Sequence, residues 1–278
     1  MIKAKSKMKP ILLELIGLVM SGVIFFPLYM VLVNSFKTSK EAFALGLTLK
    51  GASFSQALKN YMVVFTDSKL HIAYISSAAV TIGTIAATVF FAAMMAFVIQ
   101  RRKQAVVEFF NLLIMAGMIL PASIVVQYWI LRLIGLNNTY PGIILVYTAG
   151  SIPFSVFLFV GFFKGIPKEL DESAVVDGCR IFRMFFQIIF PLIKPATVTV
   201  VIITGMSIWN DFAKSIYLMS SSRMFSVVTT IFSFYGMHAS DWNYLFADIT
   251  LISLPIIILY LAMQKYIISG MVAGSVKG

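Results

Sequence analysis

Acidic side chains are scarce in this chain of 278 residues, 11 against 22 Lys and Arg, yet Glu169, Asp171, Glu172 and Asp177 stand close together. They fall in the segment KGIPKELDESAVVDGCRIFRMFFQIIFPLIKP, residues 164–195. No catalytic constellation accompanies them. The chain has no HExxH or GxSxG, and no GxxxxGK[ST] that would cradle a nucleotide's phosphates. His71 and His238 have no carboxylate at metal-binding spacing and read as solvated loop residues, so no metal is expected. Cys179 has no partner in the chain, which excludes a disulfide scaffold. Placement is what remains for the acids. Pro167 suits the first turn of a helix, Glu169, Asp171 and Glu172 then lie where the helix dipole favours negative charge, and Gly178 is a left-handed stop. A second helical stretch, Arg180 to Phe190, ends at Pro191, with Ile181, Phe185, Ile188 and Ile189 at the spacing of a buried face. Leu170, Ala174 and Val175 form a small apolar face beside Glu172 that suits a shallow groove on a partner. The alternative is an interfacial amphipathic helix that only anchors a loop.

The elements that hold this insert follow from composition. The hydrophobic fraction is 60%, the charged fraction 12% and the mean hydropathy +0.93, whereas a soluble domain keeps about a quarter of its residues charged. Long apolar runs with 14% aromatic residues exclude disorder. An all-α integral membrane protein is expected, with six spans: Leu15–Phe36, Ile72–Ile99, Phe109–Leu131, Pro141–Phe163, about Pro195–Met219 and about Leu245–Ile268. Leu15–Phe36 is too long for a signal-peptide core and reads as a retained helix. With both termini in the cytoplasm, fourteen Lys and Arg lie on the cytoplasmic side and eight on the other, five of those in the loop between the first two spans. Positive residues resist translocation, so this orientation is the expected one, in the cell membrane. The net charge of +11 then reflects topology and contact with anionic membrane lipid, with no need of nucleic acid.

A polar path through the spans would draw on Asn111, Gln127, Trp209 and Asn210, with Asp211 and Lys214 beside them. Each has a plainer reading. Asn111 and Gln127 can hydrogen-bond between helices, Trp209 can anchor at the interface, and Asp211 and Lys214 can neutralise each other on one helix face. Pro121, Pro153 and Pro255 lie inside their expected spans, as kinks or as tolerated prolines.

The run Glu172, Ser173, Ala174, then Asp177, Gly178 and Pro191 resembles the EAA loop of the permease subunits of binding-protein-dependent ABC importers. Ser173 stands for the middle alanine, Phe190 for the leucine before proline, and Cys179 for a further alanine. LNNTYPGIILVYTAGSIPFSVFLFVGFFKGIPKEL, SFKTSKEAF after the first span, WNDF at Trp209–Phe212 and the closing QKYIISGMVAGSVKG are similar to the second permease of carbohydrate-uptake importers, the maltose type. That resemblance implies a type I importer fold. Residues 1–70 would form the N-terminus, first helix and outer loop, 71–266 the transmembrane core with the coupling loop 164–194, and 267–278 a cytoplasmic tail. It also implies a non-enzymatic subunit working with a second, distinct permease, a dimer of cytoplasmic ATP-binding subunits that use ATP and Mg2+, and an extracytoplasmic sugar-binding protein. Glu169, Glu172, Ser173, Ala174, Asp177, Gly178, Cys179 and Pro191 would serve ATPase coupling. Glu172 would pair with a basic residue of the ATPase, Ala174 would pack in its cleft, and Gly178 would make the turn. The loops 37–71 and 220–244 would meet the binding protein. An importer of the same architecture with another cargo is the alternative. An ion-coupled carrier would need buried carboxylates along its path, of which the spans show almost none.

Overall fold

The computed structural model describes residues 2–221, 224–235 and 241–275, with side chains over 11–221, 224–235, 241–262 and at 264. His238 lies outside the described residues, and the whole tail expected at 267–278 lies outside the described side chains. Apart from isolated bridge positions at Ser221, Met224 and Tyr235, the described residues form helices, turns and loops.

The chain divides into two compact units, residues 1–71 with 230–254 and residues 72–229 with 255–278. In the first unit, helix α1 (Ile2–Ser35) is exposed over nearly its whole apolar length, from Ile11 to Tyr29. An apolar surface on every side suits lipid and not water. After it come α2 (Ser39–Phe43) and α3 (Phe54–Asp67), the latter started by Ser53, whose hydroxyl accepts from the Gln56 N–H at 3.1 Å. The segment SFKTSKEAF does not float in solvent. Lys37 is fully buried, its ammonium donating to Asn34 Oδ1 at 3.1 Å and to the Gly46 carbonyl at 2.7 Å. Asn60 of α3 donates to the carbonyls of Ser35 and Lys37 at 2.8 and 2.9 Å and accepts from Asn243 at 2.8 Å.

The second unit contains α4 (Leu70–Arg101) from Ile72 onward, α5 (Ala105–Ala116), α6 (Ile124–Leu133) and α7 (Tyr140–Phe163). Helix α7 starts at Thr139, whose hydroxyl accepts from the Gly142 N–H, and Pro141 fills its first turn. Next come α8 (Glu169–Val176), α9 (Ile181–Leu192, with a π-helical turn at Phe185–Ile189), α10 (Lys194–Trp209) and α11 (Phe212–Leu218). The last helix, α12 (Trp242–Ser275), begins in the first unit and ends in the second. The core at the α8 end of the second unit gathers Ala92, Ala93, Ala96 and Phe97 of α4, Val156, Phe159 and Phe163 of α7, and Met184, Phe185 and Ile189 of α9.

Among the described residues four helices are long and apolar enough to cross a bilayer one by one: Ile11–Ser35, Leu70–Arg101, Tyr140–Phe163 and Trp242–Ala262. The third and fifth of the six expected spans are not single helices. Phe109–Leu131 is interrupted between Ala116 and Ile124, because Pro121 lacks an N–H and disfavours helix at the residue before it. The two pieces, 12 and 10 residues long, reach roughly 18 and 15 Å, short of a hydrocarbon core of about 30 Å. Pro121 therefore lies in a helix break, not inside a helix; Pro153 and Pro255 are inside theirs. The fifth span stops at Trp209 and restarts at Phe212, with Asp211 as the new N-cap. Helices α9 and α10 meet at a bend of 79°.

Candidate functional site: an acidic surface helix and its anchors

Helix α8 contains three carboxylates in its first turn, Glu169, Asp171 and Glu172, where the unpaired N–H groups favour them. Pro167 sits just ahead of the capping Lys168 and not in the first turn, and the Asp171 and Glu172 N–H groups bond the Lys168 carbonyl. The helix ends in a Schellman motif. Gly178 has φ +75°, the left-handed conformation expected of it; its N–H donates to the Val175 carbonyl at 3.0 Å and the Cys179 N–H to Ala174 at 2.9 Å. Ser173 donates to the Glu169 carbonyl at 2.7 Å, so the hydroxyl in place of an alanine methyl is satisfied within its own helix.

The outward face of α8 differs from the sequence expectation in one respect. Ala174 is 4% exposed and belongs to the chain's own core, with Cys179 half-buried beside it. It cannot also fill a partner's cleft. Its methyl faces inward because α8 needs at least one apolar contact to lie on the bundle. The outward positions are Glu169, Leu170, Glu172, Ser173, Val175, Val176 and Asp177, of which Val175 is 62% and Val176 86% exposed. On α9, Phe185 and Ile189 are buried and Ile188 is half-buried as expected. Ile181 is exposed: it opens the helix and lines a cavity of about 470 Å³ with Met94, Phe97, Phe182 and Phe185, and Met184 takes the inward position instead. Pro191 stands in the final turn of α9, two residues before the bend.

The path candidates lie on three different helices or their ends. Asn111 is on α5 and Gln127 on α6, where its Oε1 is buried without a hydrogen-bond partner. Trp209 and Asn210 are adjacent at the end of α10. Trp209 is buried against Tyr74 of α4, ring centroids 6.1 Å apart, while Asn210 is exposed and donates to the Met206 carbonyl. Asp211 caps α11, accepting the Lys214 N–H at 2.9 Å and the Lys214 ammonium at 2.8 Å, and that ammonium lies 5.0 Å from the Tyr147 ring centre. Mutual neutralisation, one of the two readings, is what this pair does. His71 is exposed at the start of α4, its ring 5.9 Å from that of Phe65.

Two ionisable residues escaped the sequence reading. Asp248, in the first turn of the last expected span, is fully buried and accepts the Thr230 hydroxyl at 2.9 and 3.1 Å. Its place in LFADITL was the available signal, since a lone acid among apolar residues at a span's edge has to find a donor. Arg101, counted only as a topological charge, forms an ion pair with Asp171 of α8.

The fold is that of an ABC importer transmembrane subunit. The chain superposes with a TM-score of 0.82 on one from the crystal structure of a bacterial ABC transporter involved in the import of the acidic polysaccharide alginate, at 19% identity, covering 94% of this chain and 97% of that one. Residues 80–272 match the family of the binding-protein-dependent transport system inner membrane component, and the chain belongs to that family. It is 31% identical over 267 residues, 96% of each chain, to the probable starch degradation products transport system permease protein AmyC of Thermoanaerobacterium thermosulfurigenes. It is 30% identical over 270 residues, again 96% of each, to the melibiose/raffinose/stachyose import permease protein MelC of Bacillus subtilis.

Proposed function

We propose that this chain is the second of two different permease subunits in an ATP-driven importer of a sugar or oligosaccharide. In this reading both termini are cytoplasmic, an extracytoplasmic binding protein delivers the solute, and α8 is the coupling helix. The observation that carries it is the end-to-end similarity to sugar permeases in a chain whose acidic, Schellman-capped helix presents Glu172, Val175 and Val176 outward. An eight-residue helix with one buried methyl and an open face of acids and valines is suited to seat in a second protein. Glu172 is the residue for a cation of the ATPase, Val175 and Val176 the apolar contact, and Gly178 the turn that lets α9 fold back. ATP and Mg2+ are used by that ATPase, since this chain has no phosphate-binding loop of its own.

Affinity purification of the chain from its native membrane, followed by uptake of radiolabelled oligosaccharides in proteoliposomes, tests the reading. An ATP-binding subunit and a second permease are expected to co-purify, with uptake that requires ATP and the binding protein. A lone chain that transports on an ion gradient would overturn it.

A further inference from the structure

Arg101 is the last residue of α4, and Asp171 lies 70 positions later in the first turn of α8. Arg101 and Asp171 form an ion pair, with Nε 2.6 Å from Oδ2 but not aligned for a hydrogen bond; the hydrogen bonds run from Nη2 to Asp171 Oδ1 at 3.3 Å and from Nη1 to the Ile166 carbonyl at 3.2 Å. One guanidinium thus holds the chain on both sides of Pro167. The pair is largely withdrawn from solvent, at 11% and 17% side-chain exposure, and the guanidinium carbon lies 5.9 Å from the centre of the Phe97 ring. The other ion pair among the described residues, Asp211–Lys214, closes within a single turn, so Arg101–Asp171 alone of the two joins distant segments.

The rest of α8 has little to hold it. Ala174 is its one buried side chain, and one methyl group resting on a core is a pivot. A guanidinium fork whose Nη2 holds Asp171 and whose Nη1 holds the Ile166 carbonyl fixes orientation as well as distance, and as a second anchor it removes the freedom to pivot. We propose that Arg101 is a positioning residue that makes α8 and the inner end of α4 move as one rigid body. A push on the outward face of α8 is thereby delivered to a membrane-crossing helix. This rests on the coupling reading above.

Pulsed dipolar EPR on the full complex in nanodiscs, in a Cys179→Ser background, tests it. Spin labels go at Ile82→Cys, which is exposed on α4 roughly 28 Å along the helix from Arg101, and at Lys168→Cys, exposed ahead of α8. The expected result is one narrow distance that is the same with ADP and with trapped ATP. Arg101→Gln should broaden it and make it shift with nucleotide, although the ATPase still co-purifies. Arg101→Lys, which keeps the charge and loses the fork, should fall between, and the swapped pair Arg101→Asp with Asp171→Arg should narrow the distribution again. A parent distance that shifts with nucleotide, or an Arg101→Gln distance as narrow as the parent's, overturns the proposal. If no ATPase co-purifies, the coupling reading fails and the transmission role with it, while the effect of Arg101→Gln on the isolated chain still reports the tie.

Discussion

The acidic helix α8 and the buried cluster around Lys37 use polar side chains in opposite ways. In α8 the carboxylates of Glu169 and Glu172 are exposed, and among the described residues no cation forms an ion pair with them; Asp171 alone is turned inward, to Arg101. Around Lys37 the ingredients are polar, yet Asn34, Lys37, Asn60 and Asn243 are all buried and hydrogen-bond one another and the backbone, with Asn243 Oδ1 left unpaired. A buried amide is fixed by the cost of leaving its partners unpaired, so the Lys37 cluster holds the first unit together. An exposed carboxylate contributes little to folding and stays free to contact another protein. Polarity in a loop therefore says nothing of role until its direction is known.

Four substitutions test that contrast, beginning with the largest expected effect. Gly178→Pro demands φ near −65° where the chain has +75° and deletes the N–H that bonds Val175. It should cost about 3 kcal/mol locally and abolish ATP-driven uptake while the protein still inserts, as read by flux assays and membrane fractionation. Normal transport would remove α8 from the coupling role. Asn60→Leu strips two buried carbonyls and the Asn243 amide of their partner. A loss of about 2–3 kcal/mol is expected, measured as a lower Tm in detergent, and an unchanged Tm would show the cluster to be incidental.

Asp211→Ala removes the N-cap of α11 and its contact with Lys214. About 1 kcal/mol should be lost, with solute selectivity in a competition uptake assay unaltered; a changed selectivity would move this pair from structure to path. Glu172→Gln should alter stability by less than about 0.5 kcal/mol and weaken retention of the ATPase on the purified complex at low ionic strength, the difference from the parent shrinking as salt screens the parent's ion pair. Equal retention at every salt concentration would separate Glu172 from any partner cation.

Much of this was legible in the residues. Runs such as those in α1, α4 and α7 are apolar on all sides, and a bilayer is the solvent they fit, so their existence and near extent follow from length and hydropathy. Gly178 was legible too, because only a residue without Cβ takes φ +75° at no cost. Span integrity was not. The apolar stretch across Pro121 reads as one continuous run, and hydropathy does not register that a missing N–H breaks the helix. Ala174 was misread because a small apolar residue beside Glu172 is equally suited to a partner's groove and to the chain's own core; the facing of an eight-residue helix is set by what it rests on.

Composition and pattern alone determined the membrane class, the acidic helix with its glycine stop, and the resemblance that the family match bears out, since each depends on residue types at local spacing. Tertiary structure decided which of those polar groups are spent internally. Arg101 and Asp171 are 70 positions apart, Lys37 and Asn60 meet across a loop, and Asp248 finds Thr230 by the folding of its own unit. Local spacing carries no information about such meetings, because a charge or amide withdrawn from water takes whatever partner packing brings within about 3 Å.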